Sequence, residues 1–434
     1  MSDIPDNDTL LIYAPVPLHR DAAGNLFVEA QAVNGLRLWA ANFARVIVMM
    51  PLSPEPVPAG WVPVSDTGGK LDRVRFEMLP MAYRPDQFLR HLPATRRHIR
   101  RLIAEAQWLS FAIGGLFGDW GAVAGFAAHD MGRPFAVWTD RVESEVVRKS
   151  SASGPWKERL RARLTHRPMA WLERAVIRRA ALGLFHGRET YETYAPFATG
   201  PAEVVHDIHI APGDHITADR LAVKVAQAGE GPLRLVYTGR ADPMKGPLDW
   251  IEVLERLAAT GVDFRARWLG DGSERPAMLA RIAAAGLEAR VEMPGFVTDR
   301  TAILEELRGA HAFLFCHLTP ESPRCLIEAL ASGCPIVGYG STYPADLISV
   351  HGAGVLVPMG DRAALAGELA RLDADRPRLS DLIVKASRDG APFTDEHVFE
   401  HRSEVIRRHL GPANAMAGSH PVRPRAGKPA ISGA

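Results

Sequence analysis

Short apolar runs alternate with helix-length amphipathic segments along most of the chain, and this alternation constrains the fold more than any other feature. Runs spaced in this way belong to parallel strands, each joined to the next by a helix that crosses back over the sheet. In the first half the strand candidates are Leu10–Ala14, Val46–Met50, Val74–Leu79, Leu109–Ile113, Phe135–Thr139 and Gly183–Phe185. A turn through Asp21–Asn25 leads into a helix expected over Leu26–Asn42, and a long basic helix is expected over Asp86–Ala106. From about residue 213 the pattern loosens, and 214–232 reads as a linker. A second series follows, with strands Leu233–Thr238, Arg265–Leu269, Arg290–Met293, Ala312–Cys316, Pro335–Val337 and Gly354–Val357. The helices between them are expected at Gly246–Ala259, Glu274–Ala285, Thr301–Arg308, Pro323–Ala331 and Asp361–Leu372. The fold class is therefore α/β: two doubly wound parallel-sheet domains, 1–213 and 233–392. Ligands of such sheets bind beyond the carboxyl ends of the strands, so the natural site is a cleft between the two domains.

Charge and cysteine content narrow the partners. Lys+Arg is 51 and Asp+Glu is 50, so the chain has no global pull toward nucleic acid. Three cysteines are too few for a disulfide framework, and a reducing, cytoplasmic compartment is expected. Met1–Asp8 is polar and acidic and does not read as a signal peptide. The apolar stretch Ala106–Gly118 is interrupted by Gly114 and Gly115 and is shorter than the ~20 residues of a membrane span. A buried strand, a glycine turn and a helix are expected there instead. The Pro-, Gly- and Ala-rich 411–434 reads as a disordered tail.

Three motifs carry chemistry, each directly after a strand of the second series. The first is Gly239-Arg240, with Lys245-Gly246 five residues on, a guanidinium fork and a point charge suited to a diphosphate. Lys245 stands out because only 7 of the 51 basic residues are lysines. The second is Gly270-Asp271-Gly272, where glycines would let backbone approach a ligand. The third runs from Glu321 to Gly333. Ser322 is a candidate N-cap, Pro323 the first helical residue and Gly333 the terminator, so the amides of Arg324 and Cys325 form an anion site. Glu328 is embedded among apolar neighbours and wants a hydrogen-bonding partner. A blander alternative pairs Arg324 with Glu328 on the helix surface.

Together these motifs resemble the retaining nucleotide-sugar glycosyltransferases of family four, which have the GT-B fold of two Rossmann-like domains. The resemblance covers about Leu233–Leu372, and Gly295-Phe296-Val297 also fits it. It implies that Arg240 and Lys245 bind the donor diphosphate, that Glu321 holds hydroxyls of the donor sugar and Glu328 the ribose. It further implies that Gly239, Gly270, Gly272, Arg324 and Cys325 contact the nucleotide, without a metal. The sequence departs from the family in placing its two glutamates seven apart rather than eight. Asp140 stands where the family has a histidine, and either faces the donor sugar or caps the following helix. Ala23-Gly24 replaces the usual Gly-Gly of a phosphate-side loop, which makes Gly24 a weaker match. His186 follows a strand and could face the cleft or serve structure. The resemblance also implies that the helix Glu396–His409 packs back on the first domain.

The expected activity is transfer of a sugar from a nucleotide-diphosphate donor to a glycan or lipid-linked acceptor, with retention. The alternatives are a non-catalytic sugar-nucleotide-binding or assembly protein, and an epimerase on a related fold. Residues 141–179 hold eleven basic residues against four glutamates, with Trp156 and Trp171 among them. This segment is a candidate for contact with an anionic membrane surface, the inner face for a cytoplasmic protein; a solvated Arg-rich helix is the alternative.

Overall fold

The structure is a computed structural model and describes residues 8–58, 60–150, 156–319 and 321–411. The acidic N-terminus and nearly all of the segment read as a tail lie outside these residues.

Two parallel sheets organise the molecule. The first has seven strands in the spatial order Ala202–Val205, Leu182–His186, Ala136–Thr139, Trp108–Ala112, Thr9–Tyr13, Arg45–Leu52 and Val74–Pro80. Thr9–Tyr13 pairs on both sides, Leu10 lying opposite Val46 and Trp108. Its residues alternate between two cores, with Leu10 and Ile12 on one face and Leu11 and Tyr13 on the other. Helices cover both faces, as a doubly wound sheet requires. The second sheet has six strands in the order Val291–Gly295, Phe264–Leu269, Leu233–Thr238, Ala312–Phe315, Ile336–Tyr339 and Gly354–Val357. Both orders reverse direction at an inner strand, and the crevice at that reversal is where such sheets hold ligands.

Three of the stretches that differ from expectation bear on how the domains are laid out. The helix foreseen over Leu26–Asn42 starts only at Ala30. Leu26–Glu29 is instead the middle strand of a small antiparallel sheet, with Phe27 opposite both His19 and Pro63. Four residues are too few to separate a helical from an alternating period. The segment read as a linker contains the helix Ala218–Gln227, which is anchored to the second domain. There the buried Lys224 donates to the carbonyls of Leu307, at 3.1 Å, and Ser332, at 3.2 Å. Each carbonyl sits near the C-terminal end of a helix, where backbone acceptors lack intrahelical partners. The strand Ala202–Val205 was also not foreseen; it lies at the sheet edge and is only partly buried.

The apolar stretch 106–128 folds as a strand, a loop and the helix Trp120–Asp130. Among the described residues no helix is long and apolar enough to cross a membrane.

The chain passes between the domains twice. It leaves the first domain after Val205, and the amide of Ile216 then bonds to Ala331 at 2.9 Å. It returns at Asp395, whose amide bonds to the carbonyl of Ile210 at 2.8 Å. The helix Asp395–Leu410 then lies on the first domain. Phe399 meets Trp39 edge to face at 5.0 Å between centroids, and Arg407 pairs with Asp8 at 2.6 Å.

Candidate functional site

The second domain brings its three motifs to one edge. Lys245 follows Leu233–Thr238 by a short turn, and Glu321 follows Ala312–Phe315, the neighbouring strand. Their side chains meet at 2.6 Å, with 12% and 11% exposure respectively, so the pair is largely screened from water. Thr319 donates its hydroxyl to the other carboxylate oxygen of Glu321 at 3.0 Å. Beneath them lies a residue sequence reasoning missed. The ring of His317 is 2% exposed and shares a 2.6 Å hydrogen bond with the Tyr237 hydroxyl through Nε2. Its Nδ1 is buried 3.6 Å from Glu321 and, among the described residues, has no hydrogen-bond partner. Burial holds its pKa well below the usual histidine value, so the ring is neutral. The only available signal was its place two residues beyond a strand end.

Glycines let these loops pack backbone against backbone. A Cβ on Gly246, which has φ +64°, would lie 1.9 Å from the carbonyl oxygen of Cys316. One on Gly270 would lie 1.9 Å from that of Gly239, and one on Gly272 would lie 2.6 Å from that of Ala241. Contact between loops is therefore reason enough for Gly270 and Gly272, whatever ligand they also meet. Arg240 is different. Its side chain is 70% exposed and rests on Asp242 at 3.1 Å, away from Lys245's partner.

The helix at the third motif begins at Arg324, with Pro323 as its cap residue. Ser322 does not cap it. Its hydroxyl donates across the cleft to the carbonyl of His186 at 3.1 Å. His186 answers with Nε2 against the Ser322 carbonyl at 3.0 Å, while its Nδ1 accepts from the Asp207 amide at 2.8 Å. An acceptor Nδ1 puts the proton on Nε2, which makes His186 a neutral rivet between the domains; burial lowers its pKa. Gly187, with φ +72°, is required here because a Cβ would meet the Ser322 hydroxyl at 2.4 Å.

The surface pair of Arg324 and Glu328 does not form. Arg324 reaches toward Asp207 at 3.8 Å, and Glu328 accepts from Arg300 at 2.9 Å. Arg300 also holds Asp214 at 3.1 Å, so Glu328 has a cation beside it where hydroxyls were expected. The Cys325 thiol is pushed up to about 12 by burial, which leaves its backbone amide, rather than its sulfur, as the useful group.

Between the domains lies a cavity of about 600 Å³, and its walls belong mostly to the first domain. Tyr13, Gly114, Gly115 and Asp119 form one side, Asp140, Arg141 and Glu143 another. Asp119 accepts amide hydrogens from Gly114, Gly115 and Ala122, at 2.9 to 3.1 Å, and so shapes the loop and caps the next helix. Burial raises its pKa against the pull of those amides. Arg141 binds Glu143 at 2.6 Å, and its charge also feels Asp140 and Glu321. Asp140 is exposed on this wall, three residues before the helix that starts at Glu143. Arg324 is the second domain's contribution, and Arg402 and Phe399 come from the returning helix. Gly24 is elsewhere: it turns the hairpin between His19–Arg20 and Leu26–Glu29 at φ +90°, where a Cβ would meet nothing within 4 Å. Among the described residues no group of three or more His, Cys, Asp or Glu side chains could hold a metal.

Comparison with known proteins places this geometry. Residues 221–389 match the model of the family described as glycosyl transferases group 1. HepE of Anabaena, solved in complex with UDP, superposes with a TM-score of 0.61 at 15% identity, over 92% of this chain and 100% of that one. Sucrose-phosphate synthase from Thermosynechococcus elongatus gives 0.63 at 15% identity, over 92% and 98%. WaaG, a glycosyltransferase involved in lipopolysaccharide biosynthesis, gives 0.60 at 13% identity, over 92% and 99%. No curated protein matches the sequence. At these identities the solved structures establish the two-domain GT-B fold. The family match falls on the second domain, on the three motifs, and supports a sugar-transferring enzyme.

Proposed function

We propose that this protein is a retaining glycosyltransferase using a nucleotide-diphosphate sugar. The observation that carries the reading is the part-buried Lys245–Glu321 pair at the carboxyl edge of the second sheet, inside the segment that matches the family. Lys245 and the amides of Arg324 and Cys325 would hold the diphosphate, with Arg240 swinging in from Asp242. Glu321 would take hydroxyls of the donor sugar and Glu328 those of the ribose, with Gly239, Gly270 and Gly272 close to the nucleotide. The bond from the anomeric carbon to the diphosphate oxygen breaks as the acceptor oxygen bonds to the same face of that carbon. The acceptor proton passes to the departing phosphate oxygen. Positive charge fixed at the leaving group does the work a metal would otherwise do. HepE is solved with UDP and with UDP-glucose, which makes a uridine nucleotide the first donor to try.

The test is a panel of UDP-, GDP- and ADP-sugars. One class should raise the melting temperature, since a ligand of the folded state stabilises it. Proton NMR of the product should show the donor's anomeric configuration. Inversion overturns retention. Tight nucleotide binding without transfer or donor hydrolysis favours the non-catalytic alternative.

We further propose that the acceptor is lipid-linked and met at an anionic membrane surface. On the helix Trp156–Ile177, Trp156, Leu160, Leu164 and Trp171 are exposed, Trp156 by 63% and Trp171 by 70%. With Arg159, Arg163 and Arg167, also exposed, they fall within an arc of about 140° at 100° per residue. The patch is smaller than the sequence count suggests, because Arg174 and Arg178 stack on Phe197 and Arg141 is held by Glu143. Flotation with anionic but not neutral liposomes at low salt supports this; absence of binding there overturns it.

A further inference from the structure

The inner end of the cavity lies under the returning helix, and the proposed donor chemistry leaves it unused. Arg402 sits there, 5% exposed and lining the cavity wall. Its guanidinium is boxed by three rings, with its central carbon 4.9 Å from the centroid of Trp39, 5.1 Å from Trp138 and 5.2 Å from Phe399. Rings satisfy the faces of a guanidinium, whereas its five N–H donors point outward in its plane. Among the described residues the buried Nε finds no hydrogen-bond partner. The carboxylate that acts on this charge is Asp207, which is committed to Arg324 at 3.8 Å. Two guanidiniums thus face one carboxylate. His209 beside them is held neutral by burial, and Arg141, farther along the wall, is matched by Glu143. Arg402 and Arg324 therefore share the one carboxylate of Asp207, and the other carboxylates lining the cavity, Glu29, Asp119, Asp140 and Glu143, do not pair with Arg402. A buried cation with open donors and a cavity in front of them is a seat for an anion, because leaving such donors unmade is expensive.

We propose that Arg402 receives an oxyanion, a carboxylate or phosphate, borne by the molecule that accepts the sugar. The word "acceptor" rests on the function proposed above; the anion seat itself does not. The acceptor would enter along the first domain, put its acidic group on Arg402, and present its hydroxyl toward Glu321 past Arg141.

The full chain, with and without saturating UDP, should be titrated with inorganic phosphate, glucuronate and glucose. Calorimetry gives the affinity. Indole emission reports the place, since Trp39 and Trp138 touch the guanidinium. The expected result is saturable binding of phosphate or glucuronate but not glucose, persisting when UDP fills the donor side. In Arg402→Met that binding should weaken at least about tenfold, the loss of a charged hydrogen bond, while UDP affinity holds. Phosphate alone, or glucuronate alone, tells which oxyanion the acceptor carries. No saturable anion binding in the presence of UDP, or binding unaltered by Arg402→Met, overturns the proposal. If UDP fails to bind while the anion still needs Arg402, the donor reading falls and this site stands. Should Arg402→Met not fold, the double variant Trp39→Phe/Trp138→Phe decides. Its emission change must vanish while calorimetric binding remains, and a persisting signal puts the anion elsewhere.

Discussion

The two parallel sheets are wound alike, but their facing edges are finished differently. On the second domain the loops touch each other: Gly246 abuts Cys316, Gly270 abuts Gly239, Lys245 grips Glu321 and Arg300 grips Glu328. On the first domain the corresponding edge opens into a cavity of about 600 Å³ whose charges hold their own loops, as Asp119 does, or stand apart, as Arg402 does. A surface organised before any ligand arrives suits a part common to many reactions, and binding to it loses little freedom on ordering. A hollow with isolated charges suits a part that must differ from one acceptor to the next.

This contrast can be broken experimentally. The largest effect is expected from Lys245→Ala. It removes a fixed positive charge from the leaving group and strands Glu321, and turnover should fall about 10²–10³-fold. A change within twofold would show that the edge is merely structural. Acid should act next. His311 is fully buried in the second domain, its Nδ1 accepting the Arg234 amide at 3.2 Å, and burial lowers its pKa to about 3. The unfolded chain binds a proton below about 6.5 whereas the folded one resists until about 3, so stability is lost as pH falls through that window. At pH 4 the loss reaches about 3 kcal/mol at most, read from urea midpoints, and His311→Asn should flatten the slope. Gly270→Ala should follow, destabilising the second domain by about 2 kcal/mol through backbone collision and strain, with folding followed by denaturant. Glu328→Ala should raise the KM for the donor about tenfold with little change in kcat, since a ribose contact is made equally in ground and transition states. Smallest is Gly24→Ala, where φ +90° is strained but space is open, and about 1 kcal/mol is expected without loss of activity. A larger loss of turnover at Gly24 than at Gly270 would reverse the comparison.

Legibility follows the same division. Leu233–Thr238 and Gly354–Val357 match expectation to the residue, because each is a short, mostly apolar run set between turn signals, the first buried except at Arg234 and the second a partly buried edge strand. Lys245 and Glu321 were visible because their motifs sit directly at strand ends, where position in sequence dictates position in space. Ser322 was misread because capping chemistry is local, whereas its partner, His186, lies 136 residues away. Arg402 was invisible for the same reason. It lies on a polar helix, and only tertiary packing brings it to Trp39 and Trp138. Arg240 was legible as a motif residue, yet its rest position on Asp242 was not, since an exposed long side chain is placed by its neighbours rather than by its spacing.

The returning helix has a consequence for the order in which the chain can be made. Arg407 reaches back across 399 residues to Asp8, and Phe399 covers Trp39. On a ribosome the first domain's strands emerge long before that helix does. At roughly 5–20 residues per second, the ~200 residues of the second domain take about 10–40 s to follow. Through that interval Trp39 and Phe43 lack the cover that Phe399 and Arg407 later give them. The nascent first domain therefore keeps those rings without that cover until the helix Asp395–Leu410 has been translated.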